Sequence, residues 1–407
     1  MTRYGKLFLY FIVLSALAWI LPWLYGFVTP DTRSAPFTLL SEVNDQFLNN
    51  LPIQDKGSLA MVDQDGRIYT KNEIDSMLPC FYYRQLLSDG RLPDSLRGRS
   101  MSPRDIQNGN FILRFSPRDI NRRPAGLYPL LESRSGRVDL EMPSDVFRIT
   151  DQGIQFIDME TNRIDEKKSR VFTQAMEKKG FVFPAVEIAG NPTTRKEYDN
   201  GYLLIDQNRR VFRLMMVKGR PFVRETGIDP SLGMQHAFVV EPRGRQYFGM
   251  LTDREHRFYV LDSQYRLTRV PVEHFDPERQ GMTLIGNPFN RTIRIDGSDT
   301  VRWYGIAADD STLIARREQS FPPTVSQRIA EYIFPFTLSF TSPYDNYVYP
   351  RIDAFSLRAL ILNVLLAALF IVSRGRKAGA VPAAVTLLTG VYGFLAIVLL
   401  GLSPRRK

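Results

Sequence analysis

Residues 202–214 read YLLIDQNRRVFRL: an apolar run, a polar bend, then a second run dominated by large apolar side chains. Two such runs joined by a short polar bend mark a β-hairpin. The pattern returns at 59–70 (LAMVDQDGRIYT), 146–157 (VFRITDQGIQFI) and 247–261 (YFGMLTDREHRFYVL). Asp-Gly and Gln-Gly at two of the bends supply the positive φ that tight hairpin turns need. The turn aspartates Asp151, Asp206, Asp253 and Asp296 are separated by 55, 47 and 43 residues, close to the ~40–50-residue blade of a propeller. A mainly β domain is expected, propeller-like or a related meander, with a sandwich or two smaller β domains as alternatives. Two segments read as helical: Lys71–Leu87, interrupted by Pro79, and Lys167–Lys179, which stops before Gly180.

Outside this region the composition changes. Leu7–Pro30 carries no charge over 24 residues, enough to cross a hydrocarbon core of about 30 Å. Trp19, Trp23 and Tyr25 lie toward its far end and Arg3 and Lys6 precede it, so a retained span is favoured over a cleaved signal peptide. Ala354–Ser373 and Val381–Leu402 flank the basic turn Arg374–Lys377 and read as a helical hairpin. Arg358, near the start of the first arm, can extend its guanidinium to the interface. The predicted organisation is an anchor over 1–30, a β-rich domain over 31–353, and a hairpin with basic tail over 354–407. Phe321–Tyr349, rich in Pro and aromatics, is expected either to seat the domain on the membrane or to be an ordinary closing strand with a linker.

Charge supports the same division. All 43 Asp and Glu lie in 31–353, where they face 44 of the 53 Lys and Arg, so nine of the ten net positive charges belong to the ends. A basic surface gathered on a folded domain, the footprint of a nucleic-acid binder, is therefore not expected. Arg3 with Lys6, and Arg374 with Arg376 and Lys377, favour a cytoplasmic amino terminus and turn; Arg405, Arg406 and Lys407 oppose them. The balance predicts a multi-pass inner-membrane protein whose large domain is periplasmic.

No hydrolase elbow, phosphate loop, dinucleotide fingerprint or zinc-protease helix is present. One cysteine, Cys80, excludes an intrachain disulfide and reads as a buried thiol. His236, His256 and His274, with Met234 and Met250, could supply a soft-metal site only if the fold gathered them; core methionines and surface histidines are the expectation. Neither metal nor cofactor is expected.

Polar residues concentrate in two places. Leu127–Ile149 holds Glu132, Arg134, Arg137, Asp139, Glu141, Asp145 and Arg148, and Gly190–Gly201 holds Asn191, Thr193, Thr194, Lys196 and Asp199. Loops carried on a β scaffold commonly display binding residues, so Glu132, Arg137, Asp145, Arg148, Asn191, Thr193, Lys196 and Asp199 form the candidate binding set. An exposed strand face or a paired network is the plainer reading of the first stretch, and a solvated turn that of the second. A hydrolase would instead need two of Glu132, Asp139 and Asp145 about 5–9 Å apart.

LPCFYYRQLLSDGRLPDSLRG at 78–98, LYPLLESRSGRVDLEMPSDVFRI at 127–149 and GFVFPAVEIAGNPTTRKEYDNGYLLID at 180–206 resemble segments of an uncharacterised Bacteroidota family of integral membrane proteins, known only as a domain of unknown function. The resemblance covers most of the chain and implies one continuous architecture. It also implies occurrence beside ABC-transporter components, hence an accessory or permease-associated role, with the lipid bilayer and ATPase and permease subunits as partners. It brings no catalytic residues. The expected function is a non-enzymatic accessory subunit whose periplasmic β domain binds a partner or solute, with an envelope hydrolase or a membrane-anchored ligand sensor as the alternatives.

Overall fold

The computed structural model describes residues 3–52, 59–122, 126–134 and 136–401; the basic tail Arg405–Lys407 lies outside them. It divides into two compact units, Ala35–Gln319 and the paired ends Met1–Ser34 with Ser320–Lys407.

One turn chemistry shapes the larger unit. Asp63, Asp206, Asp253 and Asp262 each precede an arginine by four positions, and the residue before that arginine has positive φ (Gly66 83°, Arg209 61°, His256 58°, Tyr265 65°). The aspartate Oδ1 accepts the arginine's backbone N–H at 2.8–2.9 Å in all four. A carboxylate of this kind replaces the hydrogen bonds that the bend cannot make with itself. Arg210 and Arg266 close their turns with ion pairs at 2.9 and 2.7 Å, and Arg257 pairs with Asp253 likewise.

The spacing through Asp151 and Asp296 therefore does not mark equivalent turns. Asp151 sits in the two-residue bend between the paired Thr150 and Gly153, and Asp296 ends a strand beside Arg294 at 2.6 Å. The residues four positions on are Gln155 and Thr300, which cannot supply the closing cation.

Four sheets result. Sheet I is Phe37–Leu40, Phe47–Pro52 and Leu59–Val62; sheet II is Glu187–Gly190, Tyr202–Ile205, Val211–Val217 and Arg220–Glu225. Sheet III is Met234–Val239, Tyr247–Asp253, Phe258–Asp262 and Leu267–Arg269. Sheet IV runs Leu313–Ser320, Thr300–Ala307, Asn290–Asp296, Gly281–Gly286 and Phe111–Phe115. Strands in sheets I to III are antiparallel to each neighbour.

The sheets pack in series, which explains why their strands are apolar on both faces. Leu203 and Ile205 of sheet II meet Leu251 and Leu261 of sheet III. The alternate residues of sheet III, Met250 and Val260, meet Leu284 and Ile293 of sheet IV. On the far face of sheet II, Leu204 and Phe212 meet the hairpin Asp145–Thr150/Gly153–Asp158 and helix Glu166–Lys178 through Phe156 and Phe172. Sheet I closes on sheet IV, where the Leu40 N–H donates to Thr292 Oγ1 at 2.9 Å. Gly305 makes that approach feasible: a Cβ there would lie 2.7 Å from Leu40 Cδ2. The Lys71–Leu87 region forms two short helices, Lys71–Met77 and Tyr83–Ser88.

In the second unit, Tyr4–Val28 and Ala359–Thr389 are long and apolar enough to cross a membrane. The latter leaves helical geometry at Gly375 (φ 77°, ψ 162°). Asn363 Nδ2 donates to Leu387 O at 3.1 Å, and the Phe370 and Phe394 rings lie 5.0 Å apart. A straight helix would separate residues 363 and 387 by about 36 Å, so the chain reverses at Gly375. Ser320–Asp353 packs with these helices: Tyr25 OH donates to Ser326 O at 3.0 Å, and Phe334 stacks on Tyr392. Arg358 forms an ion pair with Glu331.

Candidate functional site

The 191–201 loop joins two strands of sheet II, and the 240–246 loop joins two strands of sheet III. Because the sheets pack face to face, the loops meet at one end of the stack. Lys196 is the centre of that meeting. Its Nζ donates to Asp199 Oδ1 at 2.6 Å, Glu241 Oε1 at 2.7 Å and Asn191 O at 2.7 Å, and the three charged side chains are 7%, 4% and 2% exposed.

The remaining acceptor positions are filled. Asn191 Nδ2 donates to Glu241 Oε2 at 2.8 Å and the Asn200 N–H to Glu241 Oε1 at 2.7 Å. Ser133 Oγ and the Gly201 N–H donate to Asp199 Oδ2 at 2.6 and 3.0 Å. Burial raises the Glu241 pKa, with Lys196 opposing the rise. Gly201, at φ 70°, is required here, because a Cβ would stand 2.1 Å from Leu214 O.

Beside this network lies a cleft of about 380 Å³. Ser133, Arg134 and Arg137 from the first polar stretch line one part, and Tyr198, Asp199 and Asn200 from the second line another. Arg213 forms the inner wall. It donates to Asn200 O and Oδ1, both at 2.9 Å, and to Tyr265 OH at 3.1 Å, with its guanidinium 3.9 Å from the Phe248 centroid. Arg245 lies over the Tyr198 ring at 4.6 Å. Four arginines thus face the cleft, of which Arg137 is also paired with Glu141, against Glu197 and Asp199, and Asp199 is already engaged by Lys196. The remaining positive charge suits anion recognition.

Some members of the predicted binding set serve other purposes. Glu132 caps a turn, accepting the N–H groups of Arg134, Lys218 and Gly219 at 2.9, 2.8 and 2.7 Å. Asp145 pairs with Lys168 at 2.5 Å. Arg148 is an exposed cross-strand partner of Gln155 at 2.8 Å, Thr193 Oγ1 accepts the Arg195 N–H at 3.3 Å, and Arg137 pairs with Glu141 on the surface at 3.1 Å. Glu132, Asp139 and Asp145 have different surroundings: the first is held by a turn, the second is exposed, and the third belongs to the Asp145–Thr150 hairpin and pairs with the Glu166–Lys178 helix.

Sequence reasoning missed Glu241, Arg213, Arg245 and Phe248, which come from other strands and loops. The legible trace was Asp199-Asn200-Gly201, a turn tripeptide directly before an apolar strand.

The histidines do approach one another. His256 and His274 have centroids 4.4 Å apart, and His236 Nε2 is 3.6 Å from Glu278 Oε1. Met234 and Met250 lie in two different cores. Among the described residues, no group of three or more His, Cys, Asp or Glu side chains is arranged to hold a metal ion. Cys80 is fully buried, and burial followed by the charge of Glu42 pushes its thiol pKa up.

A family model described as a domain of unknown function (DUF4857) matches residues 37–306. No curated protein matches the chain. Similar solved structures include PorZ, described as an essential bacterial surface component of the type-IX secretion system of Porphyromonas gingivalis. It is 9% identical, over 73% of this chain and 28% of that one, with a TM-score of 0.23. Another is the β-propeller domain of Cps50 (Swd1) from Myceliophteria thermophila, 12% identical over 55% of this chain and 62% of that one, with a TM-score of 0.25. The chain spans less than two thirds of either.

Proposed function

We propose, for a chain that belongs to the DUF4857 family of unknown function, a non-enzymatic binding subunit of an ABC-type transport system, anchored in a bacterial inner membrane with its β body in the periplasm. The observation that carries the reading is the cleft: two distant polar stretches converge there, and the Lys196 network beneath fixes the backbone that presents Tyr198 and Asn200. A cationic cleft with prearranged walls suits a carboxylate- or phosphate-bearing solute, because little ordering is left to be done on binding.

Three spans supply the anchor in this reading. The reversal at Gly375 divides Ala359–Thr389 into arms of about 24 and 21 Å at 1.5 Å per residue; exposed Phe355 and Leu357 extend the first, and helix Val391–Leu399 follows the second after Gly390. The four larger sheets act as consecutive blades of an open, propeller-like scaffold. With no phosphate loop in the sequence, ATP hydrolysis falls to another subunit, and the family resemblance points to neighbouring ATPase and permease chains.

Purification of the full chain in mild detergent is expected to recover an ATPase and a permease in fixed proportion. Repeated recovery of the chain alone, under conditions that preserve other transporter complexes, contradicts the reading.

A further inference from the structure

A second cavity, of about 360 Å³, opens where sheet I meets sheet IV, walled by Leu39, Phe81, Phe111 and Ile285. Glu42, 1% exposed, lines it. Its Oε1 accepts Asn287 Nδ2 at 2.7 Å, while Oε2 has no nitrogen or oxygen donor among the described residues, only the Cys80 thiol beside the carboxyl. Asn110 lines the same space; its Nδ2 donates to Cys80 O at 2.7 Å, and its Oδ1 also makes no hydrogen bond. Buried acceptors without donors are costly and rare.

Among the described residues, no side-chain cation is bonded to the Glu42 carboxyl. Arg97, the nearby base, gives its Nε to the Glu42 backbone oxygen at 2.7 Å and Nη2 to Asp45 at 2.6 Å. The Cys80 thiol beside the carboxyl is a weak donor.

We propose that this cavity binds a small organic ammonium ion, with its N–H groups on Glu42 Oε2 and Asn110 Oδ1 and its apolar body against Phe81, Phe111, Leu39 and Ile285. Once the Glu42 carboxyl is ionised, a carboxylate ligand would bring a further acceptor to two unfilled ones, and a single hydroxyl offers one donor for two sites and no countercharge. An ammonium group supplies up to three donors and the countercharge. Its geometry is independent of the cationic cleft and of the transport reading.

Proton bookkeeping follows from burial, which raises the Glu42 pKa to about 8 against the opposing effects of Arg97, Cys80 and Asn287. At pH 7 the free carboxyl holds its proton. Binding R–NH3+ forms the ammonium–carboxylate pair and transfers that proton from Oε2 to the buffer.

The test is calorimetric titration of the detergent-solubilised full chain with 2-phenylethylammonium chloride at pH 7, in phosphate and in Tris, with 2-phenylethanol and 3-phenylpropionate as comparisons. The expected result is saturable binding of the ammonium with release of close to one proton, at least tenfold tighter than the alcohol, and no binding of the carboxylate. Glu42→Gln should weaken the ammonium at least tenfold and abolish proton release. Equal affinity for ammonium and alcohol, absence of proton release, undiminished binding by Glu42→Gln, or no ammonium binding overturns the proposal. Should Glu42→Gln fail to fold, the proton release and the ammonium–alcohol difference in the unaltered chain decide it.

Discussion

Lys196→Met is expected to destabilise the β body by about 3–5 kcal/mol, the cost typical of removing one partner from a buried ion pair. Methionine keeps most of the stem's apolar bulk but leaves Asp199 and Glu241, 4% and 2% exposed, without their shared cation. Their neutral donors, Ser133 Oγ and the Gly201 and Asn200 N–H groups, remain, yet two carboxylates then share a poorly solvated space. Because burial already raises the Glu241 pKa, the loss should be larger at pH 8 than at pH 5, where that carboxyl more readily takes up a proton. Arg137→Met serves as the control: its pair with Glu141 is 72% and 63% exposed, and exposed pairs contribute about 0–1 kcal/mol. Urea unfolding of both variants beside the unaltered chain measures the difference. A loss for Lys196→Met no larger than the control's contradicts the structural role assigned to the network.

Glu42→Gln should change the pH dependence of stability more than its value in acid. Glu42 has its folded pKa raised from 4.5 to about 8, chiefly by burial. Between those values the folded chain holds a proton that the unfolded chain has released, so stability falls as pH rises. The fall totals about 3–5 kcal/mol over this window. Below pH 4.5 both states are protonated and the contribution is fully present. Glutamine does not titrate, so the variant should match the unaltered chain near pH 4.5 and exceed it near pH 8.5. Glu187, raised to about 7 by burial, leaves a smaller decline in both chains that ends about one unit lower. Parallel stability curves for the two chains across pH 4.5–8.5 would show that Glu42 is solvated and ionised.

The hairpins were legible because both of their faces are buried. Runs such as Tyr202–Ile205 and Phe258–Leu261 are apolar at every position, since sheets II, III and IV share cores. Helix Glu166–Lys178 was legible through its apolar intervals and Gly180. Turn equivalence was harder to read, because Asp151 and Asp253 look alike until the residue four positions on is compared. Gln155 cannot do what Arg257 does. At the candidate site, the Gly190–Gly201 cluster was visible as composition, whereas its partner Glu241 is set by the packing of sheet III on sheet II. Glu132 drew attention by its charge, but turn N–H groups occupy its oxygens. The Glu42 cavity left no trace in the sequence: Glu42, Asn110 and Asn287 come from separate segments, and only the register of sheets I and IV unites them.

The account rests on a β body held outside the cytoplasm by apolar ends, and site-directed thiol labelling tests this most directly. The native Cys80 is fully buried and should not compete with introduced thiols. Ser298→Cys places a reporter on an exposed turn of the body, and Arg376→Cys places one beside the reversal at Gly375. A membrane-impermeant maleimide added to intact spheroplasts should label Ser298→Cys and reach Arg376→Cys only after detergent is added. Labelling of Arg376→Cys in intact spheroplasts with Ser298→Cys protected would place the body in the cytosol and contradict the account.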